Sequence, residues 1–160
     1  MTILLIRHGE TALNRSRVIQ PSDTPLNDFG EAQAHALAKR IKQEPPAAIV
    51  ASDMPRAART AQIVAQAVGQ PVLHSELLRE RFFGDWSGRS HLEVNFDPLD
   101  DQVAPPGGES LQQFRERVTQ KEYLALVLGH PDTNKGTIEG PIGRHRTHRQ
   151  KRAVVSTGRP

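Results

Sequence analysis

Two arginines and a histidine form the strongest chemical signal in this sequence. Arg7 and His8 are adjacent and precede Gly9, and Arg56 follows Pro55 at the start of a stretch with helical periodicity. Guanidinium groups offer paired donors that fit an oxyanion, and the N-terminal end of a helix adds a positive dipole. A neutral imidazole beside them can attack phosphorus as a nucleophile. These residue types therefore indicate a phosphate site.

Each residue also has a simpler interpretation. A histidine before a glycine is typical of a turn, and an arginine on a helix is typically solvated. The phosphate interpretation therefore depends on whether the fold brings the two segments together.

The hydrophobic pattern predicts that the fold brings these two segments together. Three short apolar runs are typical of buried strands: Thr2–Ile6, Ala48–Ala51 and Pro71–His74. Helical patterns separate them, and this alternation predicts an α/β fold with a largely parallel sheet. Because ligands bind at the carboxyl ends of such strands, we expect Arg7-His8-Gly9-Glu10 and Ser52–Arg56 to share one rim.

Helix signals occur in three places. One helix is predicted from Asn27 or Asp28 to about Lys42, with Asp28 and Glu31 as a capping box. A second follows a Ser52-Asp53 cap and ends before Gly69, and a third opens at a Ser110 capping box. The long irregular stretch 76–108 between them is predicted to be a functional loop.

Composition sets the class of protein. A chain of 160 residues forms one ordinary domain, which buries roughly 68–70% of the surface exposed when unfolded. With 4% aromatic residues, the core is predicted to be Leu, Val, Ile and Ala. The absence of cysteine excludes a disulfide scaffold and a thiolate nucleophile. No basic leader precedes the first apolar run, and no apolar run approaches the roughly 18 residues of a membrane span. We therefore expect a soluble, cytoplasmic protein without membrane contact.

Charge is unevenly distributed. Residues 1–120 carry a net charge of −2, whereas residues 121–160 carry +5. The run 144–152 has five fixed positive charges and no acid, which suits weak binding to the phosphate backbone of RNA. Alternatively, the run 144–152 is a basic surface that contacts only solvent.

The motif around His8 resembles a known family signature. Arg7-His8-Gly9-Glu10-Thr11 with Asn14 is similar to that of the histidine phosphatase superfamily, which includes the phosphoglycerate mutases. Five further blocks follow in the family's order: Gln20 with Asp23-x-Pro25-Leu26; Gly30 with Gln33-Ala34; Ser52-Asp53-x-x-Arg56-Ala57 with Thr60-Ala61; Leu78-x-Glu80 with Gly84-x-Trp86-x-Gly88; and Gly107-Gly108-Glu109-Ser110.

This resemblance implies a three-layer phosphoglycerate mutase-like α/β fold, a function and a set of roles. His8 would attack phosphorus and become a phosphohistidine, while Glu80 would act as general acid and then as base. Arg7, Arg56 and Asn14 would hold the phosphoryl group, and Thr11 is a further candidate. The implied activity is a phosphomonoester phosphatase acting on a small phosphorylated metabolite without metal or cofactor. Phosphoglycerate mutase-type transfer is the alternative.

The C-terminal part departs from the family pattern. The family has a second active-site histidine in a late Ser-His-Gly strand, and no such motif occurs here. His130, after the apolar run Tyr123–Leu128, is the nearest equivalent. We therefore expect a histidine phosphatase-like domain over residues 1–118 that is C-terminally incomplete and impaired in activity.

Residues 121–160 resemble one part of the RluA-type pseudouridine synthases. The blocks that carry this resemblance are Lys121–Val127, Gly129-His130-Pro131, Gly136-Thr137-Ile138, Pro141–Arg144 and Arg152–Val155. That family's His-Arg-Leu-Asp block, with the catalytic aspartate, is absent. The segment 119–160 is thus predicted to be a basic, RNA-facing tail, and an RNA-binding or non-catalytic fusion product remains a second hypothesis.

Overall fold

The computed structural model describes residues 4–94, 100, 103–119, 142–144 and 152–154. The helices are α1 (Ala12–Arg15), α2 (Asp28–Ile41), α3 (Pro55–Val68), α4 (His91–Val94) and α5 (Leu111–Thr119). Short 3-10 helices span Glu76–Leu78 and Gly84–Trp86, and the strands are β1 (Ile49–Ala51), β2 (Val72–His74), β3 (Ile142–Arg144) and β4 (Arg152–Val154). No helix in these ranges has the length and apolar character needed to cross a bilayer.

The core forms where α2 and α3 pack against each other and α3 packs on two strands. Strands β1 and β2 pair in parallel, with Ile49 opposite Val72 and Ala51 opposite His74, and α3 makes the crossover between them. This alternation confirms the predicted α/β class. The buried side chains are small or β-branched: Ala34, Ala38, Ile41, Ile49, Ala51, Ala61, Ile63, Val64 and Ala65.

The predicted first strand is wrong over its described part. Leu4 to Ile6 have no regular secondary structure, and residues 2 and 3 lie outside the described residues. Leu4 packs against the core, but the side chains of Leu5 and Ile6 are exposed. An apolar run predicts burial, whereas a strand also requires a neighbouring backbone to pair with, and among the described residues the strand pairs lie between later segments.

Helix termini differ from the predicted caps in two of three cases. Asn27 rather than Asp28 caps α2, since its Oδ1 accepts a hydrogen bond from Gly30 N at 2.8 Å. Met54 precedes α3 and makes no side-chain cap, while Pro55 occupies the first turn as expected. The capping box at α5 is confirmed: Ser110 Oγ accepts from Gln113 N at 3.0 Å, and Ser110 N donates to Gln113 Oε1 at 2.8 Å.

The loop 7–10 is fixed by α2 and α3 rather than by a strand. Gly9 N donates to Thr60 Oγ1 at 3.1 Å, and Glu10 N donates to Gln33 Oε1 at 2.8 Å. The backbones also approach closely, because a Cβ on Gly30 would lie 2.0 Å from the carbonyl oxygen of Glu10. The first turn of α2 therefore sets the path of this loop.

The tail is described only in part. Strands β3 and β4 pair antiparallel, with Ile142 opposite Val154 and Arg144 opposite Arg152. The predicted domain boundary near 118–121 and most of the basic run lie outside the described residues.

Replacing Gly30 with alanine tests the close approach between α2 and the loop 7–10. Alanine in a helix normally gains about 1 kcal/mol over glycine, yet here the new methyl group would meet backbone. We expect Gly30→Ala to lower the free energy of unfolding by about 1–3 kcal/mol, measured by urea denaturation. Ala36→Gly on the exposed face of α2 is the control, with a loss of about 1 kcal/mol. A more stable Gly30→Ala protein would contradict the close approach.

Candidate active site

His8 lies in the loop 7–10 with its ring half-buried and oriented by its neighbour. Its Nδ1 lies 2.7 Å from the carbonyl oxygen of Gly9. A carbonyl can only accept, so Nδ1 carries the proton in this hydrogen bond. In the neutral ring the lone pair is therefore on Nε2, which leaves that atom as the nucleophile.

The surroundings of His8 favour the neutral ring. Burial has the largest effect and lowers the pKa of the imidazole below its usual value, and the charges of Arg56 and Arg7 lower it further. The hydrogen bond to Gly9 and the charge of Glu80 act in the opposite direction without reversing the shift. At neutral pH the ring is thus uncharged, as nucleophilic attack requires.

Arg56 is a buried cation in the first turn of α3. It is 2% exposed, and its Nη1 donates to the carbonyl oxygen of Pro21 at 3.2 Å while Nη2 lies 3.3 Å from the Met54 sulfur. Burial lowers its pKa, although a guanidinium stays protonated in proteins. Within the described part of the chain, no carboxylate makes an ion pair with it. The charge of Glu80 acts on Arg56 without forming an ion pair.

Thr60 links the loop 7–10, which carries His8, to the first turn of α3, which carries Arg56. Its hydroxyl donates to the carbonyl oxygen of Arg56 at 2.8 Å and accepts from Gly9 N at 3.1 Å. It lies one helical turn after Arg56, which is the only signal in the sequence that points to this role. Sequence reasoning placed Thr60 in a motif but assigned it no function.

Thr11 and Asn14 belong to α1, beside the loop 7–10. Thr11 is fully buried and caps α1: its hydroxyl accepts from Asn14 N at 3.0 Å and donates to Gln20 Oε1 at 2.6 Å. Its hydroxyl proton is therefore directed to Gln20. Phosphate-binding roles for Thr11 and Asn14 stay predictions.

Glu80 and Arg7 complete the cluster. Both are exposed, and the charge of Glu80 acts on His8 and on Arg56, while Arg7 acts on His8. Electrostatic interactions thus link Glu80 to His8 and to Arg56, and Arg7 to His8. The catalytic and phosphate-binding roles of these four residues stay predictions. His130 lies outside the described residues.

A cleft of about 890 Å³ opens beside Glu80. Its charged lining consists of five acids and two arginines: Asp23, Asp53, Glu76, Glu80, Glu109, Arg79 and Arg117. The uncharged lining includes Ser22, Phe82 and Gln113. The lining of this cleft is therefore net negative.

Comparison with known proteins identifies the family. The sequence profile of the Histidine phosphatase superfamily (branch 1) matches residues 3–124. The chain belongs to the histidine phosphatase superfamily. It is 39% identical over 153 residues to glucosyl-3-phosphoglycerate phosphatase from Mycolicibacterium vanbaalenii, covering 90% of this chain and 65% of that protein. It is 34% identical over 150 residues to probable phosphoglycerate mutase GpmB from Serratia proteamaculans, covering 86% and 68%.

Solved structures show the same histidine phosphatase fold. A mycobacterial glucosyl-3-phosphoglycerate phosphatase in complex with VO3 matches with a TM-score of 0.66 at 34% identity, over 73% of this chain and 61% of that chain. The α-ribazole phosphatase from Shigella flexneri matches with a TM-score of 0.66 at 31% identity, over 75% and 64%. The chain therefore spans about two thirds of the length of these relatives.

Part of the tail falls within the family matches. The family model reaches residue 124, and the two curated relatives match 90% and 86% of the chain, so each of these matches extends past residue 118. The comparisons do not show the resemblance of the segment 119–160 to pseudouridine synthases, which stays a prediction.

The electrostatic account of His8 can be checked by NMR titration of its ring. We expect a pKa below 6.5. Arg7→Gln removes a positive charge that disfavours the imidazolium, so it should raise this pKa toward 6.5. Arg40→Gln, at the far end of α2, is the control and should leave it unchanged. A His8 pKa above 6.5, or no response to Arg7→Gln, would contradict the account.

Proposed function

We propose that this chain is a phosphomonoester phosphatase that acts through a phosphohistidine on His8. The observation that carries the proposal is the buried charge of Arg56, which has no carboxylate partner among the described residues and acts on His8. A buried cation is costly unless an anion accompanies it. A phosphoryl group between Arg56, Arg7 and His8 would supply that anion.

In the first step, Nε2 of His8 attacks phosphorus and the bond from phosphorus to the leaving oxygen breaks. Arg7 and Arg56 stabilise the charge on the phosphoryl oxygens, which is the main requirement of phosphoryl transfer. Glu80 donates its proton to the leaving oxygen, so the product departs as a neutral alcohol.

In the second step, water attacks the phosphohistidine in line with the phosphorus–nitrogen bond. Glu80, now a carboxylate, accepts a proton from this water. The phosphorus–nitrogen bond breaks, inorganic phosphate leaves, and His8 returns to its neutral form. One water is consumed for each phosphate released.

The names of the relatives support phosphoryl chemistry of this kind. One solved relative, the mycobacterial glucosyl-3-phosphoglycerate phosphatase, has been determined both with VO3 and with inorganic phosphate. Curated relatives are named as a glucosyl-3-phosphoglycerate phosphatase and as probable phosphoglycerate mutases. We therefore propose a small phosphorylated metabolite as substrate, in the cytoplasm.

The charge of the cleft beside Glu80 favours a leaving group without a carboxylate. A phosphoglycerate mutase must hold a substrate that carries a carboxylate as well as a phosphate. The four lining acids other than Glu80 outnumber the two arginines and oppose such a group. A neutral, hydroxyl-bearing leaving group fits this lining better.

The tail has a separate proposed property. Weak, salt-sensitive binding of RNA by the run 144–152 stays a prediction from its five positive charges. The role of His130 as the second active-site histidine likewise stays a prediction.

Trapping the intermediate tests the proposed function directly. Incubation with ³²P-labelled p-nitrophenyl phosphate, followed by an alkaline quench and peptide mapping, should place acid-labile label on His8. His8→Asn should abolish the label. His74→Asn is the matched control, because His74 is exposed at the end of β2, and it should retain the label. Label on another residue, or none in the unchanged chain, would refute the proposal.

Substrate preference tests the charge of the cleft. We expect kcat/KM for glycerol phosphate to exceed that for 3-phosphoglycerate by about tenfold, equivalent to roughly 1.4 kcal/mol. Glu76→Gln, which removes an exposed acid from the cleft, should narrow the difference. Glu116→Gln on α5, outside the cleft lining, should leave the difference in kcat/KM between the two substrates unchanged. A preference for 3-phosphoglycerate in the unchanged chain would contradict the claim that the charge of the cleft disfavours a carboxylate.

A further inference from the structure

Glu80 lies in a segment whose backbone is held from one side by a single side chain. Arg117 extends from α5, and its Nη1 donates to the carbonyl oxygens of Leu77 at 2.9 Å and Arg79 at 3.2 Å. Its Nη2 lies 3.5 Å from the carbonyl oxygen of Glu80 itself. One guanidinium thus contacts three carbonyls of the segment 77–80.

The guanidinium of Arg117 is fixed in turn by Glu109. Both contacts of the bidentate pair are 2.8 Å long, from Nε to Oε1 and from Nη2 to Oε2. The two side chains are 24% and 15% exposed, so solvent screens this pair less than a surface pair. The pair lowers the pKa of Glu109 and raises that of Arg117. The Phe114 ring lies 5.2 Å below the guanidinium carbon.

Glu109 also contacts the other end of the segment. Its backbone N donates to the carbonyl oxygen of Phe82 at 2.7 Å, and its Oε2 accepts from Phe82 N at 3.3 Å. Arg117 and Glu109 therefore enclose Glu80 between contacts on both sides, at residues 77–80 and at residue 82.

The opposite side of the segment is tied to the phosphate site. Arg79 forms a bidentate ion pair with Asp53, which lies three residues before Arg56. By contrast, the Glu80 carboxylate accepts a local hydrogen bond, from Arg81 N at 3.2 Å. The position of this carboxylate is therefore set by the backbone that carries it.

We infer that Arg117, held by Glu109, is a positioning residue that places Glu80 for proton transfer to the leaving group. This inference rests on the proposed function, in which Glu80 is the general acid. Lysine at position 117 keeps the charge but cannot make the bidentate pair and the three carbonyl contacts together. A displacement of Glu80 of about 1 Å lowers the rate roughly a hundredfold when proton transfer is required.

The experiment compares kcat/KM for two substrates in the full chain. Glycerol phosphate has a poor leaving group that needs a proton, whereas p-nitrophenyl phosphate has an activated one that does not. In a phosphohistidine mechanism kcat/KM covers only the steps up to departure of the leaving group, so hydrolysis of the intermediate does not enter. Arg117→Lys should lose between about tenfold and a hundredfold on glycerol phosphate and less than about twofold on p-nitrophenyl phosphate.

Arg59→Lys is the matched control. Arg59 also forms a bidentate pair, with Glu31 of α2 rather than with the segment 77–82. It should affect both substrates equally and weakly. In a Glu80→Gln background, Arg117→Lys should cause no additional loss on glycerol phosphate, because the group it positions is absent.

Two results would overturn the inference. Equal losses on both substrates would show that Arg117 only stabilises the fold, and an undiminished loss in the Glu80→Gln background would show that it does not act through Glu80. Failure of the proposed function gives a different result, because the unchanged chain would then form no phosphohistidine from p-nitrophenyl phosphate. The inference would fall with it.

Discussion

Arg56 carries its positive charge into the interior of the protein, and the site is built around that charge. Its guanidinium is 2% exposed and contacts a carbonyl and a thioether, neither of which neutralises it. Burial of a cation is unfavourable, so the surrounding structure must hold it in place. α3 does this from its first turn, and the same charge helps to keep His8 uncharged. The buried charge of Arg56 thus favours anion binding and also helps to keep the His8 ring neutral and nucleophilic.

His8, on which the charge of Arg56 acts, is positioned by close contacts between backbones. Gly9 and Gly30 allow the loop 7–10 to lie against the start of α2, where any Cβ would meet backbone atoms. Thr60 then ties this loop to the backbone of Arg56. Glu80 comes from a third segment, linked to α3 by Arg79 and to α5 by Arg117. Three segments distant in sequence therefore meet through a few polar contacts.

Motif residues were predictable from sequence, whereas the contacts that position them were not. Residue type and position point to His8, Arg7 and Arg56, whereas Glu80 is named only through the family resemblance. Electrostatic interactions link these residues in the structure. The parallel pairing of β1 with β2 followed from the alternation of apolar runs and helices. The predicted strand Thr2–Ile6 was wrong over its described residues 4–6, because an apolar run gives no information about a pairing partner. The links made by Thr60 and Arg117 depend on tertiary contacts over 51 and about 40 residues, which no local pattern contains.

A crystal structure of the chain with vanadate tests the central claim most directly, since vanadate imitates phosphate in the transition state of transfer. The account predicts vanadium bonded to Nε2 of His8, with oxygens contacting the guanidinium groups of Arg7 and Arg56. Glu80 should face the position of the leaving oxygen. Vanadate bound elsewhere, or bound at His8 with Arg56 turned away from it, would contradict the claim that the buried arginine and the neutral histidine form one phosphoryl-transfer site.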